Sequence, residues 1–377
     1  MKAPKFLIPV LLTIDIALVL QAGAGYTLAN EPVSIVYPTP PTKVEVAAPD
    51  SIYVEPELPE LVESGSLDGA DLSQYTLANQ PDIMMPNDPY VNQQWALSKI
   101  NIFQLWQVTT VKEDTLVAVL DTGIDSSHQD LNGLIIAEAN FTDSPSPGDS
   151  YGHGTHVAGI IAAKNDDVGI VGVAPGCQLL NVKVADDAGR CQASALAEGI
   201  IWAVNNGASV INISLEIREP SPQLEDAVNY AWSRGCLIIA AAGNDGCQSP
   251  AYPAYYENCL AVAATNQDNN LATLSNYGDW VDVAAPGYDI YSTLPDNDYG
   301  YKTSTSFATA YVSGMAALLF NVVTDTNGDG KLNDEVRAAI ETGCQEIGIT
   351  GVGKGQIDAG IAIAQLDYLN LSQIPDY

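Results

Sequence analysis

Positive charge is scarce in this 377-residue chain: 14 lysines and arginines stand against 46 aspartates and glutamates, a net charge of −32. That balance excludes a nucleic-acid binder, because neutralising phosphates needs clustered cations. It favours solubility, cation binding and basic substrates, and a salt-adapted surface would carry the same bias. Histidine is scarcer still, with three in all: His128, His153 and His156. Long apolar runs are missing apart from one at residues 6–20, and no other stretch approaches the ~20 residues of a membrane span. Cysteine is limited to six residues, which suits an oxidising compartment without requiring one. Cys247 and Cys259 flank one loop and are the leading candidate pair; Cys177 and Cys191 are a weaker one. Cys236 opens an apolar run and reads as a buried thiol, while Cys344 has no evident mate.

What is present divides the chain in three. Lys2 and Lys5 precede the apolar run, and Ala22, Gly23 and Ala24 offer small residues for cleavage, so residues 1–24 read as an export signal. Asp15 interrupts the run, and a retained N-terminal anchor is the alternative. Residues 25–84 hold eight prolines, ten acidic residues and the single Lys43, a composition for an extended, unfolded linker, stalk or cleaved prosegment. From Met85 onward strands alternate with helices, which makes 85–377 the folded domain.

Short apolar runs at 115–120, 179–184, 210–214, 236–242 and 259–264 lack period-two polarity, as strands buried on both faces do. Helical patterns lie at 153–163, 192–206, 222–234 and 306–322, the third opened by Ser221 and Pro222 as N-cap and first-turn proline. Alternation of this kind predicts an α/β fold, a mainly parallel central sheet with helices on both faces. Asp121, Ser214 and Asn244 then fall at or just after carboxyl ends of strands, the edge where such sheets bind ligands.

Three segments stand in the order Asp, His, Ser: VAVLDTGID (117–125), GHGTHVAG (152–159) and TSTSFATA (303–310). A hydroxyl needs an imidazole to take its proton, and the imidazole needs a carboxylate to orient it. His153 and His156 lie three apart, and spacing alone does not choose between them as base; a two-histidine metal site lacks the intervening Glu of a zincin motif. Ser306 opens a helix, whose free N–H groups can hold a developing oxyanion.

Together with PNDPYVNQQWAL (86–97), GVAPG (172–176), VINISL (210–215), AVNYAWSRG (227–235), AAAGNDG (240–246), 252–270 and WVDVAAPG (280–287), these segments make the chain resemble the subtilisin-family serine proteases, nearest the thermitase-like branch, over about residues 84–368. The resemblance implies a three-layer subtilisin-like fold and a serine endopeptidase working through an acyl-enzyme on protein or peptide substrates. It implies that Asp121 orients His153, that His153 activates Ser306, and that Asn244 holds the oxyanion with the Ser306 amide, leaving His128 and His156 structural. Ser214, Leu215 and Glu216, with Ala241, Ala242 and Gly243, would flank the substrate side chain preceding the scissile bond (P1). A secreted or surface-held monomer is expected, and a catalytically weakened binding or calcium-dependent surface module is the rival.

The chain departs from the family pattern at the nucleophile. GTSMATPHVAG becomes STSFATAYVSG (304–314), with Ser304, Phe307, Ala310 and Tyr311 in place of Gly, Met, Pro and His. If that turn needs positive φ, Ser304 would strain it by about 1–3 kcal/mol. SLGG becomes Ser214-Leu215-Glu216-Ile217, which adds negative charge beside P1 and suggests a preference for Lys or Arg. The acidic segment 25–84 does not read as the family's folded inhibitory prodomain.

Calcium is the expected cofactor. The resemblance transfers a site with side chains of Asp88, Asp130 and Asp166 and carbonyls of Lys164, Val168 and Ile170, hard oxygens that suit Ca²⁺. Independently, DTNGDGKLNDEV (325–336) begins as an EF-hand-type loop through Asp325, Asn327, Asp329 and Lys331, but carries Val336 at position twelve and Glu335 one residue early.

Overall fold

The structure, a computed structural model, describes residues 86–112 and 114–372. The export signal at 1–24 and the acidic segment at 25–84 therefore lie outside the described residues. In chain order the strands are β1 (Leu116–Asp121), β2 (Ile135–Asn140), β3 (Gln178–Lys183), β4 (Val210–Ile213), β5 (Leu237–Ala241), β6 (Cys259–Thr265), β7 (Val283–Pro286), β8 (Ile290–Leu294), β9 (Asp298–Lys302), β10 (Cys344–Gln345) and β11 (Gln356–Ile357). The helices are α1 (Trp95–Lys99), α2 (Ile102–Val108), α3 (Gly154–Ala162), α4 (Ala193–Asn205), α5 (Pro222–Ser233), α6 (Thr305–Leu319), α7 (Asn333–Thr342) and α8 (Ala359–Ser372). Among them, no helix is long and apolar enough to cross a membrane.

Nine strands make one sheet in the order β10-β11-β7-β6-β5-β4-β1-β3-β2, parallel except where β10 meets β11. The expected three-layer α/β architecture follows from how each strand distributes its side chains. Val117 and Val119 of β1 enter the core beneath α3 and α6, while Ala118 and Leu120 enter the core beneath α4 and α5. Leu237 and Ile239 of β5 divide from Ile238 and Ala240 in the same way. Both faces are dry, so period two survives in the destination of each side chain although it is invisible in polarity. Each fully buried aliphatic side chain contributes about 1.5–3 kcal/mol.

The central helix α6 is buried along all fifteen of its residues and packs on β4 to β7 and on α3. Its small residues permit that enclosure: Gly314 lies against Val173, where even a Cβ would crowd. The hairpin β8–β9, turned through Asp296 and Asn297 at positive φ, runs directly into α6 and so delivers the 304–306 segment.

The expected disulfides are not formed, and all six cysteines are free thiols. Cys177 belongs to the core on one face of the sheet, whereas Cys191 packs against the core on the other, so the sheet separates them. Cys259 begins β6 and is buried, while the Cys247 thiol turns to Asn276 Oδ1 at 3.6 Å. Flanking one loop did not bring these two side chains together. Cys236 is buried as expected, with its thiol pKa pushed far up by burial.

Candidate active site

Asp121 is the last residue of β1 and fully buried. Its Oδ1 accepts from the Thr122 N–H at 2.7 Å and from His153 Nδ1 at 2.8 Å. His153 sits at the N-cap of α3, with its side chain 17% exposed. Burial opposes its imidazolium, but the charge and hydrogen bond of Asp121 outweigh this and raise its pKa above the ordinary 6.5. The approach of α3 to β1 depends on Gly154, where a Cβ would run into the Gly123 carbonyl. His156 is buried one turn on and donates Nε2–H to Gly300 O at 3.2 Å; burial pushes its pKa down to about 3, so it stays neutral.

A buried carboxylate that sequence reasoning missed shapes this corner. Asp149 Oδ1 accepts from the Thr122 hydroxyl and the Tyr151 and Gly152 N–H groups, and its Oδ2 from the N–H and hydroxyl of Thr155. It thereby satisfies the start of α3. An Asp four residues before the histidine of a Gly-rich segment was the available signal. Lys302 at the end of β9 adds a clamp, donating Nζ–H to the Gly152 carbonyl at 2.6 Å.

Ser306 is the second residue of α6. Its hydroxyl donates to the Ser214 carbonyl at 3.1 Å, and the Ser214 hydroxyl donates back to the Ser306 carbonyl at 2.9 Å. Ser304 is the N-cap of α6, at φ −174° and ψ 156°. That is ordinary extended backbone, so the expected strain at Ser304 is absent; the turn does not use the positive φ that would call for glycine. Asn244 Oδ1 accepts from the Thr305 N–H at 2.9 Å and hydroxyl at 3.0 Å, which leaves its amide hydrogens for the cleft.

A cleft of about 430 Å³ collects these groups: His153, Ser306, Ser304, Asn244, Ser214, Leu215, Glu216, Ala241 and Gly243 all line it, with Cys191. Of the predicted wall, Ala242 is fully buried and supports it from behind. Glu216 Oε2 is buried without a hydrogen-bond partner, and burial raises its pKa, with Asp245 adding repulsion. Gly243, at φ +102°, lies so close that a Cβ would strike Glu216 Oε2 and Asn276 Nδ2. Asn276, also unforeseen, pins the 242–247 loop through Ala242 O, Asp245 N and Cys247 N. A larger hollow of about 680 Å³, lined by Asp143, Asp186, Arg190 and Glu198 among others, contains none of the nucleophile, base or amide groups.

A hydroxyl, an imidazole paired with a carboxylate and a side-chain amide on one cleft are the groups acyl transfer uses. Residues 112–353 match the model of the subtilase family. Thermitase of Thermoactinomyces vulgaris is 42% identical over 74% of this chain and 99% of its own length. Subtilisin BL of Lederbergia lenta is 43% identical over 71% of this chain and 97% of its own. A thermophilic serine proteinase of Bacillus sp. strain AK1 is 44% identical over 71% of this chain, which spans 65% of that relative's length. The chain belongs to the subtilase family. This subtilase is a subtilisin-like serine endopeptidase, and its substrates are proteins or peptides.

The subtilase's two expected calcium positions differ in character. Around the first, Asp88 and Asp130 are buried, and Asp88 Oδ2 and Asp130 Oδ1 have no hydrogen-bond partner. Asp88 Oδ1 accepts from Asp166 N at 3.3 Å, and Asp130 Oδ2 accepts from Ile170 N at 3.0 Å. Burial raises the Asp130 pKa from 3.8 to about 6, and repulsion from Asp166 and Asp88 adds to it. Lys164 turns its ammonium to Asp166 Oδ2 at 3.3 Å. Two orphaned buried oxygens on converging carboxylates fit a hard cation.

At 325–336 the carboxylates are engaged with their own loop. Asp325 accepts from Gly328 and Gly330, Asn327 Oδ1 from Asp329, and Asp329 from the Lys331 N–H and ammonium. Val336 is fully buried and holds α7 to the core, while Glu335 Oε1 reaches back to Thr326 at 2.8 Å. Among the described residues no cluster of three or more His, Cys, Asp or Glu groups is drawn together tightly enough to hold a metal ion as it stands.

Proposed function

We propose that Asp121, His153 and Ser306 carry peptide-bond hydrolysis, with Asn244 and the Ser306 N–H as oxyanion donors. The observation that carries this reading is the 2.8 Å bond from His153 Nδ1 to the buried Asp121, facing a cleft shared with Ser306 at the start of α6. Ser306 turns from the Ser214 carbonyl to His153 and attacks the scissile carbonyl carbon as its proton passes to Nε2. The new oxyanion lies against Ser306 N–H and Asn244 Nδ2. The C–N bond then breaks, the amine leaves with the proton from His153, and water repeats the sequence to release the acid. Substrate backbone adds as a strand beside Ser214 to Glu216. A fluorophosphonate probe should label the protein, and labelling should vanish in Ser306→Ala; labelling that persists would place the nucleophile elsewhere.

Glu216 directs specificity in this reading. Its unpartnered Oε2 at the wall formed with Gly243 favours Lys or Arg at P1, where a cation would satisfy that oxygen. Calcium at Asp88, Asp130 and Asp166, with carbonyls of Lys164, Val168 and Ile170, supplies structural charge neutralisation that ties the segment around Asp88 to the 164–170 loop. Asp325, Asn327, Asp329 and Lys331 form a second, weaker candidate that must open its own hydrogen bonds to bind. The apolar leader and the acidic composition support a secreted or surface-tethered monomer.

A further inference from the structure

The hydroxyl of Ser304 occupies the place where the reaction needs an open donor. Ser306 N–H is one of the free N–H groups at the start of α6 and the proposed backbone oxyanion donor. Ser304 Oγ accepts from it at 3.1 Å, lies 2.9 Å from Ser306 Oγ, and lies 3.3 Å from Asn244 Oδ1. One hydroxyl carries one proton. The Asn244 oxygen already takes two shorter donors from Thr305, so the proton of Ser304 is better placed on Ser306 Oγ. Ser306 Oγ is then held from both sides, accepting from Ser304 and donating to the Ser214 carbonyl.

We infer that Ser304 is a latch on the nucleophile: its side chain fills the oxyanion donor and fixes the Ser306 hydroxyl away from His153 until substrate displaces it. This inference rests on the acyl-enzyme reading and deepens it. A carbonyl oxygen entering between Ser306 N–H and Asn244 competes directly with Ser304 Oγ. Half-buried at the cleft wall and on unstrained backbone, Ser304 yields by rotating about χ1, without moving α6. The same hydroxyl caps α6, so the latch also steadies the helix that carries the nucleophile. A glycine at this position has no side chain with which to do either.

The test compares wild type with Ser304→Gly, Ser304→Ala and Ser304→Thr. One readout is the second-order rate of fluorophosphonate labelling, in which Ser306 Oγ bonds to phosphorus, fluoride leaves and the proton passes to His153. The other is kcat/KM on a peptide p-nitroanilide. Removing the latch should speed both by about two- to tenfold in the Gly and Ala variants, the kinetic equivalent of one neutral hydrogen bond. Ser304→Thr, which keeps a capping hydroxyl, should stay near the wild-type rate. Ser304→Ala should also melt lower, since it loses the cap, while Ser304→Gly loses little; the Gly variant therefore decides the matter if the Ala variant folds poorly. Rates unchanged or slower in the Gly variant would overturn the latch and leave Ser304 as a cap or an added donor. A wild type that is not labelled at all would instead overturn the acyl-enzyme reading.

Discussion

At the scale of single residues, the pKa of His153 has a direction with a consequence. A general base works only when neutral, and Asp121 raises the His153 pKa above 6.5. The acid limb of kcat/KM against pH should therefore lie above the ordinary imidazole value. Asp121→Asn should lower kcat by about 10⁴-fold and shift that limb to lower pH, because it removes both the charge and the tautomer-fixing acceptor. A pH–rate series on the two proteins checks this, and an unmoved limb would deny Asp121 its role. Glu216 gives a second expectation at this scale. Cleavage of a peptide library should favour Lys or Arg at P1, and Glu216→Gly should erase that preference with little change for small apolar P1 residues. A wild-type library profile without basic preference would refute the specificity reading.

Elements decide where those residues point. β1 ends on Asp121, α3 begins after His153 and α6 begins just before Ser306, so strand ends and helix starts converge on one edge of the sheet. The central strands and helices were legible because VAVL, VINI and LIIAA are apolar runs of strand length. β2 was not, because it lies at the sheet edge and exposes Ile136 and Glu138, which blurs the apolar signal. The hairpin β8–β9 was missed for a related reason: β9 is polar and half exposed, and its pairing with β8 is non-local information in the single sequence. Asn276 and Lys302 escaped notice likewise, since each acts on a loop that only folding brings near.

The carboxylate pair around Asp88 and Asp130 gives a testable expectation at the element scale. In metal-free protein the raised Asp130 pKa means the folded state binds the extra proton between about pH 4 and about pH 6. Stability from this group is therefore present at low pH and lost as pH rises through that window. Chelation with EDTA should lower Tm more at pH 7 than at pH 5, and added Ca²⁺ should restore it. Calorimetric titration of Asp130→Asn should lose the tighter binding event, whereas Asp325→Ala should remove only a weaker one. Chelation without effect on Tm at pH 7 would exclude the first site.

For the molecule as a whole, charge and burial pull on the same question of partners. With 46 acidic residues against 14 basic ones, cationic peptides approach a favourable field, screened at high salt. Lys183, one of these few basic residues, is buried, and its ammonium meets the Thr122 carbonyl and pairs with Asp187 at 2.9 Å. The free thiols alter the picture drawn from composition, since no crosslink among the described cysteines contributes to stability. Stability instead rests on two apolar layers and a fully enclosed α6.

Residue types, their order and the apolar runs determined the fold class and the family, because short buried strands alternating with helices leave few architectures; they narrowed the candidate base to His153 or His156, and only the family resemblance preferred His153. Only the tertiary structure decided the rest. Whether Ser304 strains its turn depends on a backbone dihedral, and whether Cys247 meets Cys259 depends on which way two side chains face. That Ser304 sits on the Ser306 N–H, and that Glu216 Oε2 stands unpartnered against Gly243, are matters of a few ångströms between residues distant in sequence or hidden at a cap. Such distances are set by packing of the whole chain and have no local signature.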